Sequence, residues 1–128
     1  MLSLDLVKHI ARQITFSRTT FGPARGHVYG DIRVPDPLIA TLGVIDHLNK
    51  EMVEVAADPG DLSEWIDVVI LAIDGAWRAG FSAEEIVMGL VAKQLKNERR
   101  KWPDWRTAEP GKAIEHIRNT NCHDPEGA

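Results

Sequence analysis

Two apolar runs of helical period, one ending near Ala57 and the next beginning near Glu64, are separated only by a break at Asp58-Pro59-Gly60. Proline cannot continue a helix, and glycine favours the open backbone of a reversal. So short a connection predicts two antiparallel helices packed side by side. It also predicts which residues meet, because the end of the first helix then lies beside the start of the second.

Those two ends are acidic. Glu51 and Glu54 stand near the end of the first run, and Glu64 and Asp67 open the second. Each pair has i, i+3 spacing, which on a helix places side chains about 60° apart around the axis and about 4.5 Å apart along it. Antiparallel packing therefore directs four carboxylates at one volume. Left alone they repel, so a divalent cation or a proton is needed to hold them together. An all-oxygen donor set suits Mg²⁺ or Mn²⁺ better than Zn²⁺. Either pair alone is ordinary solvated helix surface, and Lys50 with Glu54 would make a plain i, i+4 ion pair. The matched pairs on adjacent helices are what point to a metal.

The remaining elements follow from punctuation. Leu6, Ile10 and Ile14 give one apolar face to a helix over Leu4 to Ser17. Glycines and prolines from Phe21 to Pro37 predict a long loop. Asp36 and Pro37 are an N-cap and a first helical position, opening a second helix that reaches Ala57. Asp61 or Ser63 caps a third, Glu64 to Ala79, which stops at Gly80. Ser82-Ala83-Glu84-Glu85 is a capping box for a fourth, ending at Arg100 or Lys101 before Pro103. Lys112 to Arg118 is expected to form a short last helix, and residues 119–128 a flexible tail. No stretch alternates apolar and polar residues for long, so no strands are expected. The fold class read here is all-α, four main helices, with one domain over residues 1–118.

Composition narrows the function. A net charge of −4 argues against a bulk polyanion binder, although basic residues gather between Lys93 and Arg106 and acidic ones between Asp46 and Asp74. Val68 to Ile73 is the most apolar stretch, and Asp67 and Asp74 close it far short of a membrane span. No partner is expected in a membrane. Cys122 is the single cysteine, which excludes an internal disulfide and fits a reducing cytoplasm. The opening Met1-Leu2-Ser3-Leu4-Asp5 lacks a basic patch before an apolar stretch, so no signal peptide is expected.

Other polar residues join the candidates. Lys93, Asn97 and Arg100 share a helix face at i, i+4, i+7 and are placed to clamp a polyphosphate. His47 lies one turn before Glu51 and can orient it, or be a half-buried helix residue. Asp74, one heptad after Asp67, extends the acidic face or, in the plainer reading, pairs with Arg78. Trp65, Trp77, Trp102 and Trp105 read as core or interface. Gln13, Arg25 and His27, on the first helix and long loop, are candidate substrate contacts or ordinary solvated positions.

These strings, in this order, resemble the MazG-like all-α nucleoside triphosphate pyrophosphohydrolases. The closer likeness is to their dATP/dGTP diphosphohydrolase branch, the MazZ-like and often phage-encoded one. Phe21-Gly22-Pro23, Gly43 to Glu51, Glu64 to Gly80, Lys93 to Arg106 and Ala113-Ile114-Glu115-His116 carry the resemblance over most of residues 21–118. It implies a four-helix bundle completed by oligomerisation, as a homodimer or a homotetramer built as a dimer of dimers. It implies water-driven cleavage between the α and β phosphates of a purine nucleoside triphosphate, dGTP or dATP preferred, giving nucleoside monophosphate and pyrophosphate. Glu51, Glu54, Glu64 and Asp67 would hold two or three Mg²⁺ or Mn²⁺ ions. Glu51 or Glu54 is expected to take a proton from the attacking water, and Lys93 to offset phosphate charge. Lys93 and Asn97 match the family's downstream polar positions, and Arg100 extends them. Lys50 stands where the fuller family motif has an acid, which bears on the ion count.

Two other classes remain at this stage. A non-catalytic nucleic-acid-binding or regulatory module would use Lys93 to Arg106 and leave the acids as surface; its affinity for DNA would fall steeply with salt. A di-iron bundle would need Glu-x-x-His on two helices, and that spacing does not occur. The enzyme reading predicts no nucleic-acid partner and a place in bacterial or phage-infected host cytoplasm.

Overall fold

The capping signals set most of the element boundaries. The computed structural model describes residues 4–118; Cys122 and the expected tail at 119–128 lie outside the described residues. Helix α1 spans Leu6–Phe21, with the Asp5 carboxylate accepting from the Lys8 amide. It outruns the expected end at Ser17 because nothing between Arg18 and Phe21 breaks it, and it stops at Gly22 with φ 90°.

The expected second helix is two. Helix α2 covers Pro37–Ala40 and α3 covers Leu42–Ala57, with Asp36 capping the Leu38 amide. Thr41 marks the joint, and its hydroxyl donates to the Pro37 carbonyl at 2.7 Å. Such back-bonding competes with the regular ladder and bends helices. Helix α4 spans Leu62–Arg78 behind an Asp61 cap. Helix α5 spans Ala83–Arg99 behind the expected capping box, Ser82 and Glu85 exchanging bonds at 3.1 Å.

Two expectations are corrected. The Phe21 to Pro37 segment contains a hairpin, β1 at Gly26–Tyr29 antiparallel to β2 at Ile32–Pro35, with His27 opposite Val34 and Val28 opposite Arg33. Gly30, at φ 62°, supplies the left-handed residue of its turn. The strands are short and largely exposed, so no buried face writes an alternating pattern into the sequence. Lys112 to Arg118 forms no helix. The only helical turn after α5 among the described residues is the 3₁₀ turn Trp105–Thr107. So short a segment gains too few hydrogen bonds to offset helix nucleation. The chain there is tied down instead by the Ile117 amide donating to the Lys101 carbonyl at 2.7 Å.

Gly26 has a steric role. A Cβ there would run into the Val34 carbonyl oxygen, and would lie 2.6 Å from the Pro35 Cα and 2.7 Å from the Asp36 amide nitrogen. All three are backbone atoms that cannot swing away. Gly26→Ala is therefore expected to cost about 1–3 kcal/mol of unfolding free energy in urea titrations; an unchanged midpoint would mean that the hairpin is not closed this tightly.

Residues Met1–Met88 form one compact unit and Gly89–Ala128 a second. In the first, Ile10 and Ile14 of α1, Trp77 of α4 and Ala83 of α5 make the core, with Val7, Ile73 and Ile86 packed on it. Helices α3 and α4 share the most extensive contact between elements. At Gly75 of α4 a Cβ would lie 3.4 Å from Val44 Cγ1 of α3, so the two helices approach closely there. The expected Asp74–Arg78 ion pair does not form. Asp74 Oδ1 accepts from Gln13 Nε2 and Trp77 Nε1, both at 3.1 Å, while Arg78 stacks on Trp77 at 4.3 Å and donates to Ser17 Oγ at 3.3 Å. Among the described residues, no helix is long and apolar enough to cross a membrane.

Candidate metal centre and adjoining cavity

The break at Asp58-Pro59-Gly60 folds α3 and α4 back on each other as expected. The Asp58 amide closes the last turn of α3 on the Glu54 carbonyl, and Trp65 Nε1 donates to the Pro59 carbonyl at 2.9 Å. That reversal brings Glu51 and Glu54 of α3 to Glu64 of α4, with one carboxylate oxygen from each within 4.8 Å of the others. Glu51 is buried at 8% exposure, Glu64 is half-buried and Glu54 is exposed.

The electrostatics are unfavourable without a counter-ion. Burial, then the Glu54 and Asp67 charges, hold the Glu51 carboxyl above the usual range, against a smaller opposing pull from His47. Burial, then the charges of Glu54, Asp61, Asp67 and Glu51, raise Glu64 likewise. Glu51 Oε2 and Glu64 Oε2 are buried without a hydrogen-bond partner. Buried oxygens of this kind carry a desolvation penalty that a bound cation relieves. The three carboxylates could hold a divalent cation, and their donor chemistry fits a hard one.

Neighbouring side chains leave the cluster open. Lys50 does not pair with Glu54; its Nζ lies 3.3 Å from Asp46, one turn back instead of one turn forward. His47 Nε2 lies 3.2 Å from Glu51 Oε1, which orients the buried carboxylate. Asp67 falls outside the tight group of three. It lines the wall of the adjoining cavity together with Glu51 and His47.

That cavity, about 710 Å³, lies among α1, α2, α3 and α4. Phe16, Leu42, Ile70 and Leu71 supply apolar wall, and Gln13, Arg25, Asp74 and Arg78 supply polar groups. Gln13 and Arg25, candidate substrate contacts from the sequence, both line this cavity. His27 does not line it, and is held by Asp36 at 3.0 Å beside the hairpin. Asp74 was legible only as a heptad echo of Asp67. Ser17 and Arg78 are both buried on the cavity wall; nothing in the sequence hinted at Ser17, and Arg78 was suggested only as a partner for Asp74.

Lys93, Asn97 and Arg100 belong to the second unit. Arg100 Nη1 donates to Asn97 Oδ1 at 3.0 Å. The Arg100 charge, then desolvation and Lys96, push the Lys93 amine below its usual range. Cations crowded this way favour an added anion.

A carboxylate cluster that could hold a divalent cation, beside a cavity of this size, suits metal-assisted hydrolysis. The chain belongs to the dATP/dGTP pyrophosphohydrolase family, whose model matches residues 15–120. It is accordingly a nucleoside triphosphate pyrophosphohydrolase, an enzyme that releases pyrophosphate. No curated protein and no solved structure matches the chain.

Proposed function

We propose that the protein hydrolyses dGTP or dATP, in a reaction dependent on Mg²⁺ or Mn²⁺, to nucleoside monophosphate and pyrophosphate. The observation that carries this reading is the group of Glu51, Glu54 and Glu64, with two orphaned buried oxygens, at a cavity roomy enough for a nucleoside. Glu51, Glu54, Glu64 and Asp67 would hold two or three cations. The ions would neutralise phosphate charge and make water acidic enough to attack at neutral pH.

The chain's own groups do the rest. Water attacks the α phosphorus, the bond to the α–β bridging oxygen breaks, and pyrophosphate leaves with that electron pair. Glu51 or Glu54 accepts the proton released by the water. His47 keeps Glu51 in place through their 3.2 Å contact. Lys93 and Arg100, with Asn97 on the same face, are groups suited to offsetting phosphate charge. Gln13 and Arg25 meet the nucleoside in the cavity; His27 serves only to brace the hairpin.

Met52 and Val53 on α3, and Leu62, Ile66 and Val69 on α4, are apolar and exposed in the single chain. Apolar surface of this extent favours a partner, and a homodimer or dimer of dimers would cover it. The reaction fits control of the deoxynucleotide pool in a bacterial or phage-infected cytoplasm.

Incubating the pure protein with each of the eight common nucleoside triphosphates and Mg²⁺ or Mn²⁺, then resolving products, tests the reading. Monophosphate plus pyrophosphate from a deoxypurine substrate, abolished by a chelator, is the expected result. Stepwise release of orthophosphate would exclude it.

A further inference from the structure

We propose that Asp74 and Gln13 form a paired-acceptor edge in the cavity that selects guanine over adenine. The inference rests on the reading of that cavity as the nucleoside site and names what the site prefers.

Each side chain has its polar atoms assigned by neighbours. Gln13 Nε2 donates to the Ile70 carbonyl at 2.9 Å and to Asp74 Oδ1 at 3.1 Å. Both amide hydrogens are then spent, and turning the amide over would set its oxygen against two acceptors. Gln13 is locked with Oε1 unspent. Asp74 Oδ1 takes hydrogen bonds from Gln13 and from Trp77 Nε1, which leaves Oδ2 unspent. Asp74 is only 8% exposed, and both residues line the cavity. The polar atoms they can offer a ligand are therefore two acceptors, with no donor between them.

The position suits a base. Asp67 and Asp74 both line the cavity and stand one heptad apart on α4, about 10.5 Å along its axis. An α phosphate held beside Asp67 leaves roughly the reach of a deoxyribose before the base meets Asp74. Phe16, Leu42, Ile70 and Leu71 give the ring an apolar surround.

The two purines differ on this edge. Guanine presents adjacent donors, N1–H and the 2-amino group. Adenine presents a donor at its 6-amino group and an acceptor at N1. Two protein acceptors pair with both guanine donors, whereas against adenine one of them faces a lone pair. Such a mismatch leaves buried polar groups unpaired, which is the costly case. Arg25 on the same wall can also serve O6, a carbonyl that adenine lacks.

Asp74→Asn makes a directional test. Trp77 Nε1 and Gln13 Nε2 still require an oxygen at the Oδ1 position, so the new amide nitrogen replaces Oδ2. The wall becomes one donor and one acceptor, which is adenine's complement. Steady-state kcat/KM is measured for dGTP, dITP and dATP with the wild-type and variant enzymes. The wild-type order is expected to be dGTP, then dITP, which lacks the 2-amino donor, then dATP, with dGTP ahead of dATP by about ten- to a hundredfold. The variant is expected to lower that dGTP/dATP ratio at least about tenfold. The wild-type series stands on its own if the variant does not fold. Wild-type preference for dATP, or an unchanged ratio in an active variant, would overturn the inference while leaving the pyrophosphohydrolase reading intact. Absence of pyrophosphate from every substrate with the wild-type protein would overturn both.

Discussion

Glu51→Gln is expected to lower pyrophosphate release by more than about 100-fold while raising the melting temperature of the cation-free protein near neutral pH. The activity loss follows from position. Glu51 is buried, contributes to the three-carboxylate group, lines the cavity and is oriented by His47. Losing even a supporting contact of a metal site commonly costs ten- to a hundredfold, so losing a residue proposed as a direct ligand should cost more.

The stability change has the opposite sign for an electrostatic reason. Burial and the Glu54 charge raise the folded-state Glu51 carboxyl above its ordinary value of 4.5. A carboxyl raised on folding stabilises the protein fully below the unfolded value and loses that contribution as pH rises through the folded one. Glu64 is raised in the same sense. Near neutral pH, without cations, the ionised cluster therefore opposes folding, and glutamine removes one of its charges. Thermal melts in chelator should show the variant above wild type at neutral pH, with the gap closing as pH falls below the ordinary carboxylate range. Added Mg²⁺ or Mn²⁺ should stabilise wild type more than the variant. Full activity in the variant would remove Glu51 from the site.

Trp77→Ala is expected to cost about 3–5 kcal/mol of stability, the usual range for emptying a buried aromatic site. Trp77 is 5% exposed against Ile10, Ile14 and Ala83. Arg78 and Arg18 stack on it at 4.3 and 5.0 Å, and its indole N–H holds Asp74. Natural domains of this kind are stable by only about 5–15 kcal/mol, so the loss is a large fraction of the whole. Trp77→Phe keeps most of the packing and removes only the N–H, and should cost less. Urea unfolding of both variants checks this. A loss below about 1 kcal/mol for the alanine variant would show that the core does not depend on this ring.

The contrast between these residues shows where sequence reasoning works. The Glu51, Glu54 and Glu64 grouping was readable because a short loop leaves paired helices one arrangement. The capping box at Ser82 was readable because both partners lie in one turn. The ion pairs were not. Lys50 has an acid one turn on either side, Asp46 and Glu54, and takes Asp46. Asp74 has Arg78 one turn away, yet is taken by Gln13 and Trp77. The hairpin at Gly26–Pro35 escaped because its strands bury almost nothing.

Local chemistry alone determined that helices run through the α1, α3, α4 and α5 segments and that the acidic ends of α3 and α4 meet, since caps, breakers and period act within a few residues of themselves. The end of α1 and the joint at Thr41 escaped it. Caps aside, only the tertiary structure decided which partner Asp74, Arg78 and Gln13 keep. Gln13 reaches Asp74 from a distant part of the chain and shares Oδ1 with the nearby Trp77, while Arg78, one turn away, is drawn instead to Ser17 of α1. The cavity beside the carboxylates was settled at that same level, by helices brought together from separate stretches of sequence.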